Sequence, residues 1–247
     1  MTLMDLDRTR AVTAGRTTGD EGSVFGLVLL LWMGLTVLIL AALWLTGFGT
    51  SELAGAVEQG AARAESFGVG EVGDDLIRKA VRSQHETLPF WTVTALIGQF
   101  LGEPLALAVR ALAVATAFSA LAALQGRPIG YDRALAECSV VQGFWVLGLA
   151  CQAALMMALR RSEVETSAAL FLTPGVQPAW LWLALRQLDA FALVGWIALA
   201  RGGLRRGQVG LVSAASLCLG FWAFEAAVRV GLGMFIGAAI RLSVLPG

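Results

Sequence analysis

The sequence is poor in the residues that enzymes and metal proteins most often use. Its 247 residues include one histidine, one tyrosine and three cysteines. A zinc site built on a histidine pair is therefore excluded, and Cys138, Cys151 and Cys218 form no CxxC pair, so we expect neither a metal site nor a disulfide framework. The motifs GxSxG, HExxH, GxxxxGK[ST] and a helix-opening GxGxxG are also missing. We expect no cofactor and no enzymatic activity.

Charge is scarce as well. Charged residues make up 15% of the chain, whereas about 25% is usual for a soluble domain. Eighteen basic residues balance eighteen acidic ones, so no basic surplus favours nucleic acid as a partner. Apolar residues are abundant instead, at 57%, and the mean hydropathy is +0.73. Their runs are long enough to cross a hydrocarbon core roughly 30 Å thick, which predicts an all-α, polytopic bundle of transmembrane helices.

Five apolar runs predict five spans, at about 24–46, 105–124, 139–159, 181–200 and 209–236. The spans belong to one predicted membrane domain, 23–247, which follows a polar N-terminal tail, 1–22. The first run is longer than the roughly 7–15 apolar residues of a cleavable signal peptide, so we expect it to remain as an anchor. A long polar loop, 47–87, separates it from the next apolar run. The loop is either a solvated connector or a partner-binding segment.

The number of spans depends on how 88–124 is interrupted. Gly102, Glu103 and Pro104 stand in the middle of this apolar stretch, and proline removes a helical hydrogen bond. We predict a half-helix or interfacial helix at 88–101 and a span after the interruption. If the first part also crosses, the count rises to six.

Arginine density gives the predicted orientation. Eight basic residues fall on each side of a five-span arrangement, but Arg201, Arg205 and Arg206 crowd a very short loop. Basic residues in short loops favour the cytoplasmic side. We therefore predict that the N-terminus is cytoplasmic.

Five charged residues lie in or near the predicted spans, where a charge costs at least about 2.5 kcal/mol near the bilayer centre. Glu225 and Arg229 stand four residues apart, on one helical face. Glu103 and Arg110, seven residues apart, share roughly one face, and Asp189 lies near the start of the fourth span. These residues either pair with each other to fix helix packing or line a polar pathway for protons, ions or a small solute.

The chain has 29 glycines, and within its apolar stretches Gly98 with Gly102 and Gly233 with Gly237 form GxxxG patterns. This spacing lets helix backbones approach closely. It predicts helix packing within the bundle or, alternatively, a homodimer.

The chain resembles the Yip1 domain family of five-span membrane proteins from about Leu88 onward. The resemblance rests on GRPIGYDRALAEC at Gly126–Cys138 and on LRQLDAFALVGWIALARG at Leu185–Gly202. In the second segment, Asp189, Phe191 and Trp196 match the start of the family's fourth span. Eukaryotic members bind small GTPases in vesicle traffic, but the acidic and aromatic N-terminal motifs of that role are not evident here. The likeness to bacterial members implies a multi-pass protein of the bacterial inner membrane.

Three hypotheses for function follow. The first is a non-catalytic membrane scaffold or adaptor that acts through helix and loop contacts. The second is a transporter or permease subunit that uses Glu103, Arg110, Glu225 and Arg229. The third is an accessory subunit of a larger membrane complex. Besides the lipid bilayer, the expected partner is another membrane protein or a second copy of the chain.

Overall fold

The computed structural model describes residues 25–51, 86, 89–126, 130–161, 164–172, 179–205, 207 and 209–242. Within these ranges the secondary structure is helical, and strand pairing is limited to an isolated bridge between Ser167 and Asp189. The all-α prediction is confirmed. The predicted tail 1–22 and most of the predicted loop 47–87 lie outside the described residues.

The helices follow in chain order. They are α1 (Phe25–Leu45), α2 (89–97), a π-helical turn (Gly98–Gly102), α3 (Glu103–Leu124), α4 (Tyr131–Val141), α5 (Gly143–Leu159), a 3-10 turn (Ala168–Phe171), α6 (Ala179–Arg186), α7 (Ala190–Arg205) and α8 (Leu211–Leu242). Four helical stretches of the described chain are long and apolar enough to cross a membrane: Phe25–Leu45, Pro89–Leu124, Tyr131–Leu159 and Leu211–Ile236. This length and composition are what a membrane protein requires.

The interruption expected at Gly102–Pro104 is a local change of helical pitch and not a break. Pro89–Leu124 forms one stretch of 36 residues, in which the π turn Gly98–Gly102 directly precedes Glu103 and Pro104. Proline cannot donate the backbone hydrogen bond that an α-helix needs, and a widened π turn accommodates such a defect inside a continuous helix. The separate half-helix predicted at 88–101 is therefore wrong.

The fourth predicted span, 181–200, is two helices and not one. The amides of Gln187 and Leu188 turn back to the carbonyls of Ala184 and Leu185, and the Leu188 carbonyl accepts from Ala168 N at 3.1 Å. These bonds end α6. The second helix, α7, has 16 residues and is about 24 Å long, shorter than the roughly 30 Å core of a bilayer.

The helical stretch that corresponds to the third predicted span also begins earlier than expected. Tyr131 already begins α4, so the helical stretch Tyr131–Leu159 starts eight residues before the predicted 139.

The chain divides into two compact units. The first contains the described residues up to Thr36, Pro104–Leu147 and Phe191–Trp222. Phe118 of α3 is fully buried in its core, with Cys138 of α4, Leu199 of α7 and Ala214 of α8. The Phe118 ring packs where a Cβ on Gly203 would lie, at 3.1 Å. This glycine therefore lets α7 accept an aromatic ring from α3.

The second unit contains Val37–Glu103, Gly148–Ala190 and the chain from Ala223 onward. Its described core is small and centres on Leu43, Ala153 and Met156. Trp44 Nε1 donates a 2.7 Å hydrogen bond to Oε1 of Gln99 within the π turn. A polar bond therefore ties α1 to the π turn in this unit.

Candidate functional site

Three of the five charged residues form one cluster in the second unit, which we name the Arg229 cluster: Glu103, Glu225 and Arg229. Arg229 Nη1 and Nη2 donate to the two carboxylate oxygens of Glu103 at 3.0 and 3.1 Å. Its Nε donates to Glu225 Oε1 at 3.1 Å. The side chains are 44% exposed for Glu103, 34% for Arg229 and 27% for Glu225.

Helix geometry and the position of the π turn explain this cluster. Glu225 and Arg229 meet because residues four apart lie on one face of α8, with the acid N-terminal to the base. Glu103 begins α3 immediately after the π turn. Its bidentate bonds use the planar fork of the guanidinium, the strongest arrangement of this pair type. The cluster therefore attaches α8 to the π-turn end of α3 by charged hydrogen bonds.

Arg110 lies in the other unit and has different partners. It is 6% exposed, and its Nη1 donates to Gln142 Oε1 at 3.0 Å. Its guanidinium carbon stands 4.1 Å from the centre of the Trp145 ring and 6.0 Å from that of Trp196. The partners described here for Arg110 are therefore residues of the first unit.

Gln142 is a hydrogen-bond partner of Arg110 that the sequence reasoning missed. It is fully buried, and its Nε2 donates back to the Cys138 carbonyl at 3.1 Å. It also occupies the one-residue turn between α4 and α5. A lone amide inside an apolar run is the signal that could have identified it, because a buried amide needs a partner.

Asp189 anchors a loop. Thr166 Oγ1 donates to Asp189 Oδ2 at 2.6 Å, next to the bridge between Ser167 and Asp189. Close by in the chain, Arg186 pairs with Glu165 at 3.1 Å and lies 5.0 Å from the centre of the Trp182 ring. Asp189 therefore joins the 164–168 segment to the start of α7.

The predicted packing glycines differ among themselves. A Cβ on Gly98 or Gly102 would meet nothing within 4 Å in the described chain, whereas one on Gly233 would meet Leu183 at 3.1 Å. The side-chain surroundings of Gly237 lie outside the described residues.

Three other glycines were missed and are tightly covered by tryptophan. A Cβ on Gly49 would lie 2.8 Å from Trp44, and one on Gly143 would lie 2.8 Å from Trp32. A Cβ on Gly195 would lie 2.5 Å from Trp145. The Trp145 ring therefore fills the space above Gly195 while it contacts the Arg110 guanidinium. Glycine at 195 is thus part of the Arg110 environment.

No protein-family model, no curated protein and no solved structure matches this chain. The resemblance to the Yip1 domain family therefore stays a prediction from the sequence.

Proposed function

We propose that this protein is a non-catalytic scaffold or accessory subunit of the membrane, which associates with another membrane protein along α8. The proposal includes a Yip1-like arrangement of five crossings, a cytoplasmic N-terminus and a location in the bacterial inner membrane. The observation that carries it is an exposed face of small residues on α8.

From Leu211 to Leu232, the exposed residues of α8 recur in adjacent pairs every four positions. They are Leu211, Val212, Ala215, Ser216, Leu219, Gly220, Ala223, Phe224, Ala227, Val228, Gly231 and Leu232. Only 11% of the most apolar 18-residue window of this helix is buried. Half of the twelve are Gly, Ala or Ser, which let helix backbones approach closely in a membrane. We refer to this set as the small-residue face.

Glu225 and Arg229 of α8 lie outside the small-residue face. Glu225 and Arg229 are half-buried and bind Glu103 or each other. The helix thus has a polar face engaged within the chain and an apolar, small-residue face left open. Because lipid tails are as apolar as leucine, close backbone packing favours a helix as the neighbour of such a face.

The engaged state of the charged residues supports a scaffold more than a conduit. Glu103 and Glu225 lie near the middle of the long apolar stretches Pro89–Leu124 and Leu211–Ile236, and the Arg229 guanidinium binds both carboxylates. Intramembrane charges that bind each other in this way link helices, which is the role that a scaffold requires.

A transporter subunit is the second candidate, because one observation favours it. The π turn Gly98–Gly102 directly precedes Glu103, and π turns inside α-helices are frequent at functional sites. Purified protein in sealed vesicles should then carry a proton or ion flux that Glu225→Gln abolishes. No flux across a broad panel of ions and solutes would exclude this candidate.

The test of the scaffold uses two glycines in equivalent positions. Gly220 stands nine residues after Leu211 in α8, and Gly34 stands nine residues after Phe25 in α1. Both are exposed, and a Cβ on either meets nothing within 4 Å. Gly220→Leu should lower the amount of partner protein recovered by affinity purification in mild detergent at least fivefold, whereas Gly34→Leu should leave that amount unchanged.

The identity of the retained protein separates two outcomes. A different membrane protein lost only in Gly220→Leu supports the proposal. Recovery of a differently tagged second copy, lost in the same variant, would instead assign this face to self-association. Equal recovery of every protein from both variants would contradict a docking role for α8.

A further inference from the structure

A groove of about 430 Å³ lies between α4 and α7 in the first unit. Its walls are mostly apolar, with Ala136, Val140 and Val141 from α4 and Ala198 from α7. Along α7 the lining then changes to Arg201 and Arg205, which belong to the last turns of that helix. The groove therefore has an apolar part and a basic part.

Arg201 and Arg205 form the basic part of the groove. They stand four residues apart, so both side chains project from the same face of α7. Both are exposed. The lining also includes Glu137, which pairs with Arg133 at 3.7 Å. Two guanidinium groups against one carboxylate give the lining a net charge of +1, which complements an anion.

We infer that this groove binds an anionic glycerophospholipid, with the headgroup phosphate on Arg201 and Arg205 and one acyl chain along Val140, Val141 and Ala198. Guanidinium groups bind phosphate oxygens through short, charged hydrogen bonds. Basic pockets between transmembrane helices are known recognition sites for lipid headgroups. The inference does not depend on α8 or on the protein partner proposed above.

The position of the groove favours a lipid over a soluble phosphate. Its α4 wall belongs to the helical stretch Tyr131–Leu159, which is long and apolar enough to cross a membrane. Val140 is 57% exposed, so an acyl chain that lies on Val140 can continue into the surrounding lipid. The volume is well short of a two-chain phospholipid, so the groove would hold the headgroup and the upper part of one chain.

The experiment measures lipid retained by the full-length chain, purified in detergent and titrated with phosphatidylglycerol or phosphatidylcholine, using native mass spectrometry. The wild-type chain should retain phosphatidylglycerol at least fivefold over phosphatidylcholine. The double variant Arg201→Gln/Arg205→Gln should lower that ratio below twofold. Arg160→Gln/Arg161→Gln removes the same charge from another exposed pair and should leave the ratio unchanged.

A second variant tests the apolar part separately. Ala198→Phe should fill the groove and lower retention of phosphatidylglycerol at least threefold while both arginines remain. An unchanged ratio in Arg201→Gln/Arg205→Gln, or equal losses in the control pair, would overturn the inference. Full displacement by millimolar glycerol phosphate would also overturn it, because the ligand would then be a soluble phosphate.

Discussion

Replacing Arg229 should destabilise the protein more than replacing either of its acidic partners. The guanidinium makes three hydrogen bonds to two carboxylates, two of them to Glu103. Breaking a buried ion pair by removing one partner typically costs about 3–5 kcal/mol, but hydrogen bonds in membrane proteins average only about 0.6 kcal/mol. The cluster is also about one third exposed, so we place the loss for Arg229→Met between these values, at about 2 kcal/mol.

Among the acidic partners, the residue that accepts more hydrogen bonds from Arg229 should lose more stability when it is replaced. Glu103→Gln removes the bidentate acceptor and should cost about 1 to 1.5 kcal/mol, whereas Glu225→Gln weakens one bond and should cost about 0.5 kcal/mol. Combining Glu103→Gln with Arg229→Met should cost less than the sum of the two single changes. The difference, which measures the interaction between the two side chains, should be about 1 kcal/mol.

Reversible unfolding in mixed detergent micelles provides the assay, with helicity as the readout. Arg133→Met is the matched control, because Arg133 also pairs with an acid, Glu137, but at 3.7 Å and with a side chain 72% exposed. Exposed pairs of this kind contribute about 0.3–0.5 kcal/mol. If Arg229→Met is no more destabilising than Arg133→Met, the Arg229 cluster does not hold α8 to the start of α3.

Two further changes test the Arg110 environment by the same unfolding measurement. Gly195→Ala would place a Cβ 2.5 Å from the Trp145 ring and should lower the free energy of unfolding by about 1–3 kcal/mol. Gly220→Ala has open space around it and should be neutral or slightly stabilising. Equal effects of the two changes would refute the close packing. Arg110→Leu leaves the buried Gln142 oxygen without its 3.0 Å donor and should lower the free energy of unfolding by about 1–3 kcal/mol. The double change Arg110→Leu/Gln142→Leu should recover part of that loss. A purely additive double variant would contradict the coupling between the two side chains.

Hydropathy predicted the helices that are apolar along their whole length. The spans expected at 24–46 and 209–236 correspond to helices at Phe25–Leu45 and Leu211–Ile236, because a long apolar run needs only its own backbone hydrogen bonds to be stable in lipid. The interruptions were harder to place. Pro104 was expected to break a helix that a π turn keeps continuous, and hydropathy does not report such local changes of pitch.

The break at Gln187–Asp189 has a different origin. The segments on either side of it, 179–185 and 190–200, are apolar, but Asp189 and Leu188 bind the 164–168 segment through Thr166 and Ala168. These partners are about twenty residues away in the chain, so no local pattern identifies them. Tertiary hydrogen bonds override helix propensity here.

In the candidate site too, contacts between residues close in the sequence were predictable and contacts between distant residues were not. The pairing of Glu225 with Arg229 follows from their spacing alone. The pairing of Arg229 with Glu103 joins residues 126 positions apart, so the sequence could indicate only that both charges lie near the membrane. Spacing placed Arg110 and Glu103 on roughly one helical face, but it could not indicate that Arg110 is buried beside Gln142 and two tryptophans.

The number of crossings depends on α7, and the loops before and after this helix allow a direct test. With 16 residues, α7 is about 24 Å long, so crossing requires a locally thinner bilayer or flanking residues that reach the interface, at a modest cost per ångström of mismatch. Arg201 and Arg205 can extend to the headgroups at its C-terminal end, because long basic side chains reach outward from helix ends.

Single cysteines at Gln125, Gln187 and Gly210, in a background without native cysteines, would report the sides of the membrane to an impermeant thiol reagent. If α7 crosses, Gly210→Cys should react from the same side as Gln125→Cys, and Gln187→Cys from the opposite side. If Gly210→Cys instead reacts together with Gln187→Cys, α7 does not cross. The five-crossing arrangement would then be wrong, and the chain would cross the membrane four times through the four long apolar stretches.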